Sequence, residues 1–503
     1  MAGLQPAPEE TRETALHHGR LGVIGIVFFV VAAAAPLVGM TGAVPVAIVL
    51  GNGAAAPGAY LAVGLVLLLF SVGYNVMSRH VTNAGAFFAY VGRGLGIAPG
   101  VGSAFVSLVA YLAVQLAIYG FFGAITAGQM ASVFGIEWSW WVWSLIAWAI
   151  VLVLSLLSVD VGAKVLGVLM GLELLALLVT ALAVIFKGGP EGFDLAASFA
   201  PSNIFVGGLA GSAGIALAFA FASFIGFEAT AIYGEEAKDP HKSVPRATYV
   251  AVITITVVFA LTSFAMVTAL GSQAVIDRVL EMSGGLADPA AVLFGVATEY
   301  VGSWMATVMG WLVLSSLFAG LLAFQNSAAR YFFAMGRAGV LPRSLDKVNK
   351  FGAPGLSSIT TSVISGIVIV IFAVRGLDPV LNLFYWFSGL AVVAILWVEI
   401  LVCLAVIVYF RRNPAGANAW NSIIAPAGAA ILLALGQYLL TSRFGLLAGT
   451  VAEGVDPTAQ AWGLNLLGWF LITLPFILFV FGVILGSVRQ NKENEDAIAD
   501  LVS

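Results

Sequence analysis

Apolar residues in this chain fall into long runs separated by short polar connections. A helix needs about 20 mostly apolar residues to cross the hydrocarbon core of a bilayer. Twelve stretches meet that need: 21–50, 56–78, 99–127, 141–158, 163–186, 211–234, 247–270, 304–336, 356–374, 380–410, 421–441 and 463–487. No soluble domain fits between them. The pattern predicts an all-α integral membrane protein with twelve transmembrane helices, numbered here as spans 1 to 12. Residues 1–20, with Glu9, Glu10, Glu13, His17, His18 and Arg20, read as a polar tail without a signal-peptide pattern. Residues 488–503 read as a second tail.

Composition excludes the main soluble classes. The chain is 61% hydrophobic and only 9% charged, whereas soluble domains carry about 25% charge. A cytosolic enzyme, a disordered chain and a nucleic-acid binder are therefore ruled out. The single cysteine, Cys403, rules out a disulfide framework and a cysteine-rich metal site. His17, His18, His80 and His241 lack metal-ligand spacing, and no phosphate-binding G-x-x-x-x-G-K-[ST] loop occurs. No cofactor, resident metal or nucleic-acid partner is expected.

Lys and Arg mark the cytoplasmic side of a membrane protein. With an inside N-terminus, alternating assignment places seventeen of the 21 basic residues inside. Only Lys187, Arg278, Arg375 and Arg443 fall outside. Both termini are thus expected in the cytoplasm, with the spans in the cell inner (plasma) membrane.

Unwound backbone at mid-membrane is kept where it lines a cavity. In transporters, interrupted spans at matching places in two halves point to the binding site. Span 1 carries Ala34-Ala35-Pro36-Leu37-Val38-Gly39 near its middle. Pro36 has no amide hydrogen and Gly39 is permissive, so a break is expected between Ala34 and Gly39. Span 6 carries Ser223-Phe224-Ile225-Gly226-Phe227-Glu228, again near its middle. The offset of five suits a five-plus-five inverted repeat. The connections 80–95 and 271–302 read as interfacial helices, one on each face. Gly and Pro also serve simple packing in membrane helices, so the periodicity alone leaves both readings open.

Four motifs carry a resemblance. Residues 222–247 include Gly226-Phe227-Glu228 and then Glu235-Glu236-Ala237-Lys238-Asp239-Pro240, ending in Pro245-Arg246. This resembles the span 6 signature of the amino acid–polyamine–organocation permeases. Ala84-Gly85-Ala86-Phe87-Phe88-Ala89-Tyr90 with Gly94-Leu95-Gly96 resembles that family's 2–3 loop. Asn326, Arg330, Ala334-Met335-Gly336-Arg337 and Gly339-Val340-Leu341-Pro342 resemble the end of its span 8, and Ala353-Pro354 its entry to span 9.

The resemblance implies a LeuT-type fold. A first repeat covers 21–186 (spans 1–5) and a second 211–410 (spans 6–10), with peripheral spans 11 and 12 over 421–487. It implies substrate held at the breaks, by Ala35, Pro36, Leu37, Val38 and Gly39 and by Ser223, Phe224, Ile225, Gly226 and Phe227. Tyr111 and Gln115 on span 3, with Phe324 on span 8, are expected in the pocket wall, and core packing is the competing reading of each. Span 1 departs from the family's usual Gly-Ser-Gly element. Its fewer free amides and missing hydroxyl favour amines without a carboxylate.

Glu173, Glu228 and Glu399 are the acids deep inside spans, where no Lys or Arg lies. An intramembrane acid is costly and defaults to a functional role. Aligned on Ala163-Lys164-Val165, Glu173 falls where some proton-coupled relatives place a lysine, and it is the first choice for proton coupling. A neutral acid bonded to a carbonyl is its structural alternative. Glu228 sits where arginine/agmatine antiporters keep a pH-responsive glutamate, so it reads as a sensor, a backbone brace, or both. Glu399 matches no family role and reads as a packing contact. The resemblance places a sodium site at hydroxyls on span 8 near Ala319-Gly320, and Ser315 and Ser316 fall about a turn before it. Protons are therefore favoured over sodium. Lys238, Arg246, Arg337 and Arg343 read as topological anchors that can also pair with Glu235 and Glu236 as an inner gate.

These features together describe a secondary active transporter rather than an enzyme. It would import an amino acid or organic amine by proton symport through alternating access. A polyamine or cationic amino acid carrier, an exchanger and a sodium-coupled carrier are the alternatives. A channel on the same scaffold is more distant, because no span repeats polar residues along one face, and so is a nutrient sensor, because no soluble signalling domain fits between the spans.

Overall fold

The computed structural model describes residues 22–81, 87–157, 160–232, 237–414 and 417–488. Both tails, Ala84-Gly85-Ala86, Glu235 and Glu236 lie outside the described residues. Among the described residues every regular element is a helix, apart from one isolated bridge between Val451 and Leu464.

In chain order the main helices are α1 (Val23–Ala34), α2 (36–52), α3 (Ala56–Ser78), α4 (Phe87–Leu95), α5 (Ile97–Phe134) and α6 (Trp140–Leu156). Next come α7 (Asp160–Lys187), α8 (Ala213–Phe224), α9 (Ala229–Ile232), α10 (Pro240–Leu270), α11 (Val275–Met282) and α12 (Ala290–Tyr300). The series ends with α13 (Ser303–Arg337), α14 (Gly355–Val374), α15 (Pro379–Arg412), α16 (Trp420–Ser442) and α17 (Leu466–Val488). Nine helices among the described residues are long and apolar enough to cross a membrane, with α2 and α3 taken as one continuous helix. That continuity is interrupted at Gly51 and Gly53, whose backbones leave the helical region. α6, at 17 residues, is shorter than those nine.

Small residues set the helix spacing, as expected where lipid removes the hydrophobic drive between helices. A Cβ on Gly64 of α3 would overlap Thr256 of α10, and one on Gly102 of α5 would reach Phe479 of α17 at 2.8 Å. A Cβ on Gly482 of α17 would likewise stand 2.7 Å from the Gly102 backbone. The long, mostly buried α5 is the central post, packed by α4, α13, α15 and α17.

Two sequence expectations change. α4 was expected at the interface, yet Phe87, Phe88, Ala89, Tyr90 and Val91 are all buried. Gly94 brings its backbone against Ala405 of α15, so the helix is sunk between α5 and α15. Amphipathicity here reflects burial against protein rather than contact with headgroups. α11 fits the expectation better, with Val275 and Val279 buried and Ile276 and Leu280 exposed.

Arg443, expected as an outer charge, is 4% exposed. Its guanidinium donates to the carbonyls of Pro457 and Ala210, tying the α16–α17 loop to the segment before α8. Ser212 in turn donates to Gly51 O at 2.5 Å, reaching the end of α2.

Arg443→Met should strand two carbonyls and lower stability by about 3 kcal/mol, read as an earlier melt in detergent. Lys242→Ala breaks the Asp239 pair at 3.2 Å, whose side chains are 73% and 46% exposed. It should move the melt by no more than about 0.5 kcal/mol.

Candidate substrate-binding site

α1 stops at Ala34 because Ala35 adopts φ 43° and ψ 67°, the left-handed region. An alanine held there costs roughly 1–2 kcal/mol, so surrounding structure must impose it. Pro36 then starts α2 with a φ already suited to a first helical turn. A helix that begins afresh leaves its first N–H groups, and the one before it leaves its last carbonyls, without intrahelical partners.

The second break mirrors the first. α8 ends at Phe224, Ile225 turns extended with ψ 127°, and Gly226 takes φ 113°. Only glycine occupies that region freely. A Cβ on Gly226 would stand 2.6 Å from the Cβ of Ala33, so the missing side chain also lets the two breaks touch.

Glu228 closes this second break. Its Oε2 accepts from Gly226 N–H at 2.9 Å and its Oε1 from the Tyr111 hydroxyl of α5 at 2.9 Å. Its own carbonyl accepts from the Tyr74 hydroxyl of α3 at 2.6 Å. The residue is fully buried, and it binds the break and α5 through its carboxyl group and α3 through its backbone carbonyl.

Between the breaks lies a cavity of about 60 Å³, room for a few waters. From α1 and α2 it is lined by Ala33, Ala34, Ala35, Val38, Gly39 and Ala43. α5 adds Val114, Ala117 and Ile118, and the α8 side adds Phe219, Ala222, Ser223 and Ile225. Phe324 of α13 and Phe384 and Ser388 of α15 complete it. The lining contains no charged side chain, and its side-chain hydroxyls are Ser223 and Ser388. Ser223 donates to Phe219 O at 2.8 Å and stands 3.5 Å from the Tyr60 hydroxyl. Tyr60 stacks on Phe259 at 4.9 Å, and that ring fills the space a Cβ on Gly39 would need.

Of the residues singled out from sequence, Ala35, Val38, Gly39, Ser223, Ile225 and Phe324 line the cavity. Pro36, Leu37, Phe224, Gly226 and Phe227 are buried behind it, where they shape the breaks. Tyr111 reaches the cavity only indirectly, beside Phe324 at 6.1 Å and bonded to Glu228. Gln115 points away from the cavity and bonds to Gln325 of α13 at 2.7 Å. The walls from α15, Phe384 and Ser388, had no sequence signal, because neither stands at a break or in a family motif.

The other two acids lie off the cavity. Glu173, 2% exposed on α7, accepts from the Ser315 hydroxyl of α13 at 3.4 Å. The packing of α7 on α13 thus brings Ser315 to Glu173, a pairing that neither segment announces on its own. Glu399 was read as a packing contact. It is 2% exposed, but its Oε2 has no hydrogen-bond partner among the described residues. Among those residues no group of three or more His, Cys, Asp or Glu could hold a metal ion.

The sequence profile of the amino acid permease family matches residues 21–481, so the chain belongs to that family, a multi-pass membrane group within the amino acid–polyamine–organocation superfamily. It is 27% identical over 232 residues to an uncharacterized transporter of Legionella pneumophila, covering 46% of each chain. It is 28% identical over 173 residues to a branched-chain amino acid permease of Lactococcus lactis, covering 33% of each. A lysine-specific permease of the same bacterium is 28% identical over 236 residues, 45% of each. The chain thus spans between a third and just under half the length of these curated relatives.

Gly226→Ala should cost about 2–4 kcal/mol, from backbone strain and overlap with Ala33. Adding Ala33→Gly should recover the overlap but not the strain, so the melting temperature of the double variant should return only part of the way.

Proposed function

We propose that this protein is a secondary active transporter that imports a neutral, apolar amino acid by proton symport. The observation that carries this reading is the cavity between the two helix breaks. Cut backbone supplies polar groups for an ammonium and a carboxylate, while side chains supply apolar walls. A buried wall without an acid offers a cationic side chain no partner to offset desolvation. The similarity to a branched-chain amino acid permease agrees with that preference.

In this reading α1 with α2 forms span 1 and α8 with α9 forms span 6, giving twelve spans in a LeuT-type arrangement. α16 and α17 are then the peripheral pair. The protein sits in the inner (plasma) membrane with both termini in the cytoplasm. The site rocks between the two faces while α5 and α13 hold its wall.

Two acids couple the motion to protons. A carboxylate accepts at both oxygens, whereas a protonated carboxyl turns one acceptor into a donor. Protonation of Glu228 would therefore give up its bond to Gly226 or to Tyr111 and loosen the second break from α5. Glu173 would act in the same sense at the contact of α7 with α13, where protonation changes its bond to Ser315. Sodium is the competing ion and would use that same serine.

A cationic substrate is the second reading. It rests on buried Glu173, Glu228 and Glu399, and on the 28% identity to a lysine-specific permease.

Purified protein in sodium-free liposomes, acid outside, should accumulate leucine or alanine above the external level and lose that accumulation on adding a protonophore. Glu173→Gln should cut gradient-driven uptake about tenfold or more while sparing counterflow exchange. Uptake should rise as the outer pH falls, because the outward-facing acids must load a proton before the site turns inward. Preference for lysine or putrescine would replace this reading by the cationic one. Uptake only with sodium would overturn proton symport.

A further inference from the structure

Gln115 of α5 and Gln325 of α13 lie 210 positions apart and are both fully buried. The Gln115 amide donates to Gln325 Oε1 at 2.7 Å. Gln325 Nε2 donates to Ser358 O at 2.8 Å and to Ser362 Oγ at 3.0 Å, both on α14. Ser365 of α14 donates to Gln115 Oε1 at 3.2 Å, so both amide oxygens and both amide nitrogens are engaged. α6 joins the same cluster. Ser155 donates to Asn326 Oδ1 at 3.1 Å and to Ser358 Oγ at 3.0 Å, and Trp148 Nε1 donates to Ser362 O at 2.6 Å.

This cluster lies directly behind the cavity. Successive helix residues point about 100° apart, so a helix can turn a glutamine out of the cavity while residues to one side of it line the wall. Val114, Ala117 and Ile118 flank Gln115 and line the cavity, and Phe324 precedes Gln325 and lines it too. A buried network in which every amide oxygen and nitrogen is bonded tolerates few arrangements, because sliding either helix by a turn would strand several polar groups at about 1–3 kcal/mol each. Among the described residues, α1 and α8 on the opposite wall make no side-chain hydrogen bond to either glutamine.

We propose that the Gln115–Gln325 amide pair is a positioning element that locks α5, α13 and α14 in register and thereby sizes the site for the substrate side chain. The glutamines do not touch substrate; they set where Val114, Ile118 and Phe324 stand. The substrate part of this proposal rests on the amino acid reading above, whereas the rigidity of the wall does not.

The test compares Gln115→Leu, Gln325→Leu and the double variant in liposomes. Each single change leaves an unpaired amide and should lower the melting temperature. The double change removes both amides and should recover most of the melt. Its KM for leucine should nevertheless stay about tenfold above wild type, with Vmax within about twofold and weaker discrimination among alanine, valine and leucine. Recovery of KM and discrimination together with the melt would show a structural role only and overturn the proposal. A second readout needs no transport. With Cys403→Ser and Ile118→Cys, a small thiol reagent should label the wall about tenfold faster when Gln325→Leu is added. Equal labelling rates would overturn the proposal. If wild type moves none of the three amino acids, the amino acid reading fails, and the labelling rates still decide whether the pair holds the wall.

Discussion

One carboxyl group holds together the second of the two breaks where this protein's spans cannot stay helical. In hydrocarbon an interrupted helix exposes amides and carbonyls that water cannot reach. Glu228 meets this constraint at the second break by accepting from Gly226 N–H and from Tyr111, while Tyr74 donates to its backbone carbonyl. Remove that carboxyl and the break loses its internal acceptor together with its tie to α5. The close approach of Gly226 to Ala33 occurs at the residue whose amide that carboxyl binds.

The two sides of the cavity are built by different chemistry. α5, α6, α13 and α14 are stitched by side-chain hydrogen bonds through Gln115, Gln325, Ser155, Ser358 and Ser362. α1, α2, α3, α8 and α10 approach closely at glycines, Gly39 against Phe259 and Gly64 against Thr256, with side-chain bonds such as Tyr60 to Ser223 and Thr262 to Met40 among them. Hydrogen bonds between fixed partners hold a register, whereas smooth apolar contacts permit small slides. Tyr111, on the stitched side, bonds across to Glu228 on the smoother one, which places a protonatable group at the joint between them.

Burial also reassigns residues whose type alone suggested something simpler. Arg443 counts as an outer positive charge in the topology, yet its guanidinium is buried and ties two loops through carbonyls. α4 has the amphipathic look of a surface helix but is enclosed by α5 and α15. In both cases the partner comes from a distant part of the chain, and local pattern carries no information about it.

Much of the architecture is legible in the chain alone, because lipid imposes rules on short windows. Apolar runs of spanning length, the Lys and Arg bias and the punctuation at Pro36, Gly39 and Gly226 are all local. Each break therefore lies within the window that Ala34–Gly39 and Ser223–Glu228 marked out. Which side chains meet is not local. Phe384 and Ser388 join the cavity, Gln325 pairs with Gln115, and Ser315 reaches Glu173 only when helices far apart in sequence pack at one spacing and rotation. A helix's neighbours are chosen by the fit of whole faces, and that choice, made in three dimensions, decided the chemistry of the site.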